Sequence, residues 1–418
     1  MTYQNIDNRL QFLYGLNRKG IKLGLEHIKS IMGLLGNPQE NYKLIHIAGT
    51  NGKGSTVAHL CRLFMEYGFK VGVYTSPHLI KFNERIKVNN RSISDFEIIS
   101  FMDKVNSEIT SLDLTFFEVT TAMAFNYFNE ENVDIAVIET GLGGRLDSTN
   151  IINPILTVMT PISIDHIDIL GNTIEKIAYE KAGIIKKNIP LITSEQVELA
   201  MKVLQKKSFE KKAEIIISEK PKSINIDIYG TSFFLGGEKY ITPLFGKYQA
   251  ENASLAISAI KHLVPEISYS TVKVGLASVK WAGRLQCVSE KIYYDVSHNE
   301  SGINVTLNTL KELFPGSKIH GLFCVKGDKE LHRIAKQIKF KFETLLVSSS
   351  NNGFLLKPKQ LSDQLKKLGI ENTPFEKLNK GINQLLKIKK SNDVGLIFGS
   401  HYIAGEVFSA FEISFDSE

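Results

Sequence analysis

Cysteine and tryptophan are scarce in this sequence, and long apolar segments are lacking. The three cysteines, Cys61, Cys287 and Cys324, are widely spaced and form no CxxC pair. This spacing excludes a disulfide framework or a cysteine zinc site and indicates a reducing, cytoplasmic location. The longest apolar runs, such as 135–138 and 394–398, are strand-sized, far short of the ~20 residues that span a bilayer. No apolar run follows the polar start of the chain, so we expect a soluble protein without a targeting signal.

A strong excess of one charge is also lacking. The sequence has 50 Lys and Arg against 44 Asp and Glu, a formal net charge of +6. Seven lysines cluster without the aromatic pattern of a base-stacking platform, namely Lys202, Lys206, Lys207, Lys211, Lys212, Lys220 and Lys222. A solvated helix face is therefore favoured over nucleic-acid binding, and we expect no nucleic-acid partner.

A repeated order of strand, glycine turn and helix dominates what is present. At ~150 residues per domain, the length suggests two or three domains. The alternation of strands and helices predicts an α/β fold with a parallel sheet covered on both faces. A β-hairpin is predicted within 224–244, and a junction near 281 divides the chain into domains 1–280 and 281–418. The predicted strands are 44–48, 71–74, 133–139, 155–159, 190–193, 214–217, 292–296, 319–325, 345–348 and 394–398.

A glycine-rich turn lies between the strand 44–48 and an amphipathic helix whose apolar residues are spaced at i, i+3, i+4 and i+7. Such a turn presents backbone N–H groups to phosphate oxygens, which indicates a phosphate loop. The spacing differs from GxxxxGK[ST], so a simple tight turn is the alternative, but the flanking elements favour nucleotide binding. A GTPase is excluded because no NKxD motif accompanies the DxxG at 168–171. The candidate residues are Thr50, Asn51, Gly52, Lys53, Gly54 and Ser55.

Short motifs along the chain occur in an order and spacing that are specific together. They are LGLE at 23–26, AGTNGKGS at 48–55, TSPHL at 75–79, NER at 83–85, ETGLGGRLD at 139–147, DH at 165–166, EKAG at 180–183, GR at 283–284, DVSHN at 295–299 and FGSH at 398–401. With these motifs the sequence resembles the folylpolyglutamate synthase/dihydrofolate synthase branch of the Mur ligase superfamily over nearly its whole length. The resemblance implies a phosphate-loop-containing, Mur ligase-like central domain with a mostly parallel sheet. A smaller Rossmann-like α/β domain follows, with the active site in the cleft between the two.

The resemblance also implies a reaction. ATP phosphorylates a carboxylate, and the amine of L-glutamate attacks the resulting acyl phosphate to form an amide. The acceptor is dihydropteroate, a tetrahydrofolate polyglutamate, or both, and the sequence leaves this choice open. Two alternatives are a Mur-type ligase adding an amino acid to a UDP-linked cell-wall precursor, and a regulatory phosphate-loop ATPase. The first lacks an additional UDP-binding segment before the phosphate loop, and the second leaves Lys181, Asp295 and His298 unexplained.

Residue roles are carried over from the family position by position. Catalytic roles are implied for Lys53, Lys181 and His298. A carbamate on Lys181 is implied as well. The implied ligands of magnesium, expected as two ions, are Ser76, Glu139 and His166. Nucleotide contacts beyond the loop are implied for Asn252 (base), Arg284 (phosphates) and Asp295 (ribose).

The implied substrate-binding residues form two groups. The pterin-bearing acceptor maps onto Thr115, Phe116, Phe117, Glu118, Leu146, Asp147 and Ser148, and the incoming glutamate onto His298, Ser400 and His401. Two departures stand beside these positions: Ser148 replaces a frequent alanine, and Val296-Ser297 replaces a usual Gly-Ala. We expect neither to change the reaction class. A monomer is expected, with small-molecule partners.

Overall fold

The structure is a computed structural model that describes residues 4–16, 24–351 and 353–414. Leu23 of the LGLE motif lies outside the described residues. Two compact units are present, the first formed by 1–220 and 251–278 and the second by 221–250 and 279–418. The sequence-based domains 1–280 and 281–418 differ from these units in the segment 221–250.

The first unit is built on an eight-stranded sheet in the order β4-β3-β2-β5-β1-β6-β7-β8. Six neighbouring strands are parallel, namely β2, β5, β1, β6, β7 and β8. Strands β3 and β4 are antiparallel additions at one edge. The strands are β1 Lys43–Ala48, β2 Val71–Tyr74, β3 Ile86–Val88, β4 Arg91–Ser92, β5 Ile135–Glu139, β6 Leu156–Met159, β7 Leu191–Thr193 and β8 Ile215–Ile217.

The helices of the first unit follow the predicted strand–helix rhythm. They are α1 Gln4–Gly15, α2 Glu26–Leu34, α3 Lys53–Tyr67, α4 Asp95–Lys104, α5 Asn106–Ser111, α6 Phe116–Glu130, α7 Ile167–Leu170, α8 Ile174–Lys181, α9 Glu198–Lys211, α10 Lys247–Leu263 and α11 Tyr269–Ala277. Helix α3 buries Val57, Leu60 and Phe64, the stripe that its periodicity predicts. It ends at Gly68, whose left-handed φ of 108° is the usual helix stop. Helix α10 runs across the division between the units at 250/251.

The segment predicted as one β-hairpin folds into three antiparallel strands, so that prediction is wrong by one strand. The strands are β9 Lys222–Asp227, β10 Gly230–Leu235 and β11 Glu238–Thr242. Tyr229 donates its backbone N–H to Asp227 at 2.8 Å, closing a first turn, and Gly236 and Gly237 form the second with positive φ. Only the diglycine turn has a strong sequence signal, which is why the first turn was missed.

The second unit contains a six-stranded sheet in the order β12-β13-β17-β14-β15-β16, parallel except for the β12–β13 pair. The strands are β12 Gln286–Ser289, β13 Ile292–Asp295, β14 Ile319–Phe323, β15 Thr344–Val347, β16 Thr373–Pro374 and β17 Val394–Phe398. The helices are α12 Glu300–Leu313, α13 Leu331–Ile338, α14 Pro358–Lys367, α15 Leu378–Ile388 and α16 Ala404–Ala410.

Both units have apolar cores, and the α/β class with mostly parallel sheets is confirmed. In the first unit β1 and β5 are almost fully buried along their length, as expected for central strands of a parallel sheet. In the second unit β14 and β17 are likewise buried. All three cysteines are free. Among the residues that the structure describes, no helix is both long and apolar enough to cross a membrane.

Candidate active site

The glycine turn between β1 and α3 approaches other backbone and side chains too closely for any larger residue. Gly49 has a φ of 148°, and a Cβ there would lie 1.8 Å from the hydroxyl of Thr160. Gly52 has a φ of 88°, and its Cβ would lie 2.4 Å from Oδ1 of Asn252. This short distance shows that the buried side chain of Asn252 lies against the phosphate loop.

The rest of the loop is anchored to the segment that follows β6. Thr50 donates its backbone N–H to the carbonyl of Pro161 at 3.0 Å. The Thr50 hydroxyl donates to the carbonyl of Ser163 and accepts the Ser163 N–H, both at 3.0 Å. Asn51 donates its side-chain amide to the Ser163 hydroxyl at 3.4 Å. These bonds fix the loop before any ligand binds, which lowers the entropy cost of binding a phosphate chain.

Two lysine side chains donate to the same carbonyl in this loop. Lys53, the first residue of α3, lies 3.3 Å from the oxygens of both Gly49 and Thr50. Lys181, the last residue of α8, lies 2.7 Å from the Gly49 oxygen. The two catalytic candidates from distant parts of the sequence are thus brought together at one point.

Lys181 is in an unusual environment for a lysine, because its side chain is buried. Burial, together with the nearby charge of Lys53, lowers its pKa to about 7. Asp165 and Asp147 oppose this shift. A substantial fraction of Lys181 amine is therefore neutral near pH 7, as a nucleophile toward CO2 must be.

Glu139, at the end of β5, is a buried carboxylate beside Lys53 and Ser76. Its Oε2 accepts the backbone N–H of Ser76 at 3.3 Å, and its Oε1 lies 3.9 Å from the Lys53 amine. His166 has a φ of 51° at the start of α7, and Asp165 accepts its N–H at 2.9 Å. The structure thus brings Ser76 and Glu139 together and pairs His166 with Asp165.

The Glu139 carboxylate and the Ser76 hydroxyl fit a magnesium ion, which prefers oxygen ligands, whereas the His166 imidazole is a less usual ligand for it. Within the described residues there is no cluster of three or more His, Cys, Asp or Glu side chains suited to a metal. A cation here would therefore take few ligands from the chain, as magnesium does when substrate phosphates and water complete its shell. Ser55, the remaining hydroxyl candidate, is buried in the first turn of α3.

Thr115 and Glu118 form a capping box at the start of α6. The hydroxyl of Thr115 accepts the N–H of Glu118 at 3.3 Å, and the Glu118 carboxylate accepts both the N–H and the hydroxyl of Thr115 at 2.8 Å. The pattern Thr-x-x-Glu before an apolar run is the sequence signature of this cap. Both residues therefore have a structural role in addition to the substrate contact implied for them.

The adjacent phenylalanines point into different surroundings. Phe116 is buried, stacks on Tyr14 with ring centres 5.8 Å apart, and lies 5.1 Å below the guanidinium of Arg85. Phe117 is half-buried and fills the space above Gly141, where a Cβ would lie 2.4 Å from its ring. Phe117 therefore borders the glycine-rich 141–144 segment, whereas Phe116 belongs to an aromatic cluster with a cation.

Asp147 is buried in the loop after β5, between the half-buried Leu146 and Ser148. Its two oxygens accept the N–H of Leu142 at 2.8 Å and of Thr149 at 3.0 Å. Burial raises the pKa of this carboxyl, and the hydrogen bonds from Thr149, Leu142 and Gly141 offset only part of that rise.

Arg145 and Glu180 connect the glycine-rich loop to α8, and the sequence analysis gave neither a role. The guanidinium of Arg145 lies 2.9 Å from Glu180, and the Arg145 N–H donates to the Glu180 carbonyl at 2.7 Å. The two backbones touch: a Cβ on Gly144 would lie 2.7 Å from the Lys181 carbonyl, and one on Gly183 would lie 2.3 Å from Arg145 Cα. The two glycine motifs were visible in the sequence, but their contact was not.

In the second unit, Asp295 ends β13 as a buried carboxylate. Its two oxygens accept the N–H of Leu285 and of Ser297, each at 2.7 Å. Arg284 is half-buried, and its guanidinium donates to the Gly283 carbonyl at 3.4 Å. The phenol of Tyr248 is affected by both charges: burial and the negative charge of Asp295 raise its pKa, and the positive charge of Arg284 lowers it.

The candidates for glutamate binding lie at the ends of two parallel strands. His298, after β13, has its Nδ1 3.0 Å from the carbonyl of Val296. Ser400, after β17, is buried and its hydroxyl accepts the N–H of Tyr402 at 3.1 Å. The His401 ring lies 4.1 Å from that of Tyr402. Since β13 and β17 pair in parallel from Ile292 to Asp295, their carboxyl ends share one sheet edge.

A mostly parallel sheet with an anchored phosphate loop, a lysine at the helix start and a buried acidic residue beside it defines a nucleotide-binding α/β protein. Family models match two segments: the Mur ligase middle domain over residues 47–260 and the Mur ligase glutamate ligase domain over 283–401. These matches include the phosphate loop, Lys181 and Asn252 in the first segment and Asp295 and His298 in the second.

Similar proteins identify the branch of the Mur ligases to which the chain belongs. The chain is 36% identical to the dihydrofolate synthase/folylpolyglutamate synthase of Bacillus subtilis, over 95% of this chain and 96% of that protein. The structure is similar to Mycobacterium tuberculosis folylpolyglutamate synthase complexed with ADP and AMPPCP, with a TM-score of 0.90, 30% identity, and 97% and 99% of the two chains covered. It is also similar to Escherichia coli FolC in complex with DHPP and ADP, with a TM-score of 0.86, 27% identity, and 97% of each chain covered. The chain belongs to the dihydrofolate synthase/folylpolyglutamate synthase family of Mur ligases, which makes it an ATP-dependent ligase of small molecules.

Proposed function

We propose that this protein adds L-glutamate to dihydropteroate, to tetrahydrofolate polyglutamates, or to both, through an acyl-phosphate intermediate. The observation that carries the proposal is the meeting of Lys53 and Lys181 at the Gly49 carbonyl, with Glu139 beside Lys53. The relatives named as dihydrofolate synthase/folylpolyglutamate synthase support it. They favour this reading over a cell-wall ligase or a regulatory ATPase.

The chemistry proceeds in two transfers. The acceptor carboxylate attacks the γ-phosphorus of ATP, the bond to the β–γ bridging oxygen breaks, and ADP leaves. The neutral amine of glutamate then attacks the acyl carbon, inorganic phosphate leaves with the electron pair of its C–O bond, and the nitrogen loses a proton to become an amide. Lys53 and the N–H groups at the start of α3 stabilise the charge that builds on the transferred phosphoryl group. The anchored loop holds the phosphates for in-line attack.

Two magnesium ions are proposed, with Ser76, Glu139 and His166 as the ligands from the chain. Lys181 is proposed to carry a carbamate. When bound, magnesium would neutralise negative charge on the phosphates. The buried Glu139 supports the first ion, and the lowered pKa of Lys181 supports the modification. Intact-mass analysis under native conditions, with and without bicarbonate, tests the carbamate: full activity with an unmodified lysine contradicts it.

The nucleotide and substrate contacts carried over from the family remain proposals. Asn252 is proposed to bind the base, Arg284 the phosphates and Asp295 the ribose. Asp147 is proposed to bond the pterin ring nitrogens, with Phe117 stacking beside it, and His298, Ser400 and His401 are proposed to contact glutamate. We further propose a monomer located in the cytoplasm.

The deciding experiment measures ADP release by the purified protein with ATP, magnesium and L-glutamate, adding dihydropteroate or tetrahydrofolate separately. Turnover with dihydropteroate alone assigns a dihydrofolate synthase, with tetrahydrofolate alone a folylpolyglutamate synthase, and with both the bifunctional enzyme. Lys53→Met serves as the inactive control for contaminating ATPases, and Lys206→Met, an exposed lysine on α9, serves as the matched control. ADP release that is equal without either acceptor, or absent with both, contradicts the proposal.

A further inference from the structure

Three buried side chains form a continuous hydrogen-bonded line from the centre of the sheet to Asp147. His46 lies in the middle of β1, paired with Ile138 of β5. Its Nε2 is 2.8 Å from the hydroxyl of Thr149, and that hydroxyl is 2.5 Å from Oδ1 of Asp147. His46 and Thr149 are completely buried and Asp147 is 6% exposed. No role has been given above to His46 or Thr149.

The direction of these hydrogen bonds follows from counting hydrogens. Both Asp147 oxygens already accept backbone N–H groups, from Leu142 and Thr149, which stabilises the ionised carboxylate and partly offsets the rise in its pKa that burial causes. The Thr149 hydroxyl has one hydrogen and donates it to Asp147. Its oxygen therefore accepts from His46, which places the imidazole proton on Nε2.

The other ring nitrogen of His46 has no matching use. His46 Nδ1 is buried without a hydrogen-bond partner among the residues that the structure describes. Burial, helped by the charge of Lys186, lowers the pKa of His46 to about 3, so the ring is neutral at working pH. An apolar side chain of similar size would avoid the cost of this unpaired nitrogen. What the histidine supplies at this position is its Nε2–H.

We propose that His46 is a positioning residue that acts through Thr149 to hold the Asp147 carboxylate in the orientation that binds the acceptor. The proposal rests on the proposed function, in which Asp147 bonds the pterin ring. An aspartate carboxylate turns easily about its last torsion, where rotamer preferences are broad. Two backbone N–H groups restrain that torsion, and the Thr149 hydroxyl, oriented by His46, adds a side-chain restraint on Oδ1. Small displacements of a binding group weaken catalysis strongly, so supports of this kind matter for a correctly placed site.

The test compares His46→Gln with His46→Leu. A glutamine amide nitrogen reaches the Nε2 position and donates a hydrogen bond, whereas leucine fills the space without a donor. We expect His46→Leu to raise the KM for dihydropteroate, or for the folate acceptor that the wild type uses, about 10-fold. His46→Gln is expected to stay within about 3-fold of the wild type. The KM for ATP is expected to change less than 2-fold in both, although His46 precedes the phosphate loop by only three residues.

A double-mutant cycle checks that the effect passes through Thr149. Thr149→Val removes the hydroxyl and keeps the shape, and we expect it to raise the acceptor KM as His46→Leu does. The double variant is then expected to be no worse than Thr149→Val alone. Fully additive effects would contradict the line of contacts, and so would an acceptor KM unchanged in His46→Leu. Equal losses of Tm in the Gln and Leu variants with unchanged acceptor KM would assign His46 to packing only.

The wild-type control separates failure of this proposal from failure of the function. If the wild type shows no acceptor-dependent turnover, the proposed function fails and the positioning role fails with it. If the wild type turns over normally and His46→Leu binds acceptor equally well, only the positioning role fails. Nitrogen-15 spectra of the histidine rings give an answer independent of activity. We expect His46 to keep its proton on Nε2 from pH 5 to 8, and a proton on Nδ1 or a titration near pH 6.5 would overturn the assignment.

Discussion

The start of α3 and the end of α8 each present a lysine to the same carbonyl, yet their surroundings give the two amines different chemistry. Lys53 remains partly exposed beside Glu139, close to where phosphates are proposed to bind. Lys181 is buried, and the loss of solvation lowers its pKa to about 7. Hydrogen-bond partners alone therefore do not define the role of a lysine. The solvent around it determines whether it acts as a charge or as a reactive amine.

The largest expected effect comes from removing the cation of the pair. Lys53→Met deletes the charge that stabilises the transferred phosphoryl group, and we expect kcat to fall about 10³-fold. The exposed Lys206→Met carries the same change of net charge and is expected to retain wild-type activity. Steady-state kinetics with saturating ATP decide the matter, and a loss below 10-fold would remove Lys53 from the catalytic step.

Adding a Cβ at position 49, whose backbone carbonyl accepts from both lysines, tests how tightly the phosphate loop is packed there. Gly49→Ala places a Cβ 1.8 Å from the Thr160 hydroxyl at a φ of 148°, and we expect it to lower the free energy of unfolding by about 3 kcal/mol. Gly68→Ala is the matched control, because Gly68 has a φ of 108° and open space around its Cβ. Urea unfolding measures both. Equal destabilisation would mean that backbone strain, and not the close approach, limits position 49.

The buried lysine predicts a stability that depends on pH. Lys181 has a folded pKa of about 7 against an ordinary lysine value of 10.5, so between these values the unfolded chain binds more protons and stability rises with pH. Relative to Lys181→Met, the wild type is expected to gain about 2 kcal/mol in free energy of unfolding from pH 7 to pH 9. Urea unfolding in bicarbonate-free buffer measures this gain. A constant difference between the two proteins would show that the amine is charged in the folded state.

The smallest expected effect concerns how the end of α8 is held. Arg145→Gln removes the ion pair with Glu180 but keeps the backbone bond between the same residues. Because the arginine side chain is 42% exposed, we expect a loss of stability below about 1 kcal/mol. Thermal unfolding and kcat are measured together. A large fall in kcat without a fall in Tm would mean that the ion pair, and not the backbone contact, places Lys181.

Local signals in the sequence were sufficient for the elements and for the phosphate loop. The strand β2 falls where the pattern predicts it, and α3 ends at a glycine, because apolar periodicity and glycine act over a few residues. The capping box at Thr115 has an equally local signature, Thr-x-x-Glu before an apolar run. The extra turn at Tyr229 was missed because an Asp-Ile-Tyr-Gly sequence is a weak turn signal.

Contacts between distant segments could not be predicted from the residues alone. Nothing within β1 shows that His46 reaches Thr149, 103 residues later. Burial of Lys181 depends on the phosphate loop, 132 residues earlier, and a lysine ending a helix is ordinarily exposed. Asp295 is different, because its two bonds come from residues two and ten positions away. Environments set by long-range packing are therefore the part of the site that required the structure.

The backbone contact between the two glycine motifs limits how this ligase can be re-engineered. Gly144 and Gly183 leave no room for a single added carbon, so a mutant library that varies them would consist almost entirely of misfolded chains. Leu146 and Ser148, on either side of Asp147, are only half-buried and can change size without disturbing that contact. Selection for a new acceptor is best directed at these two positions, with both glycines left unchanged.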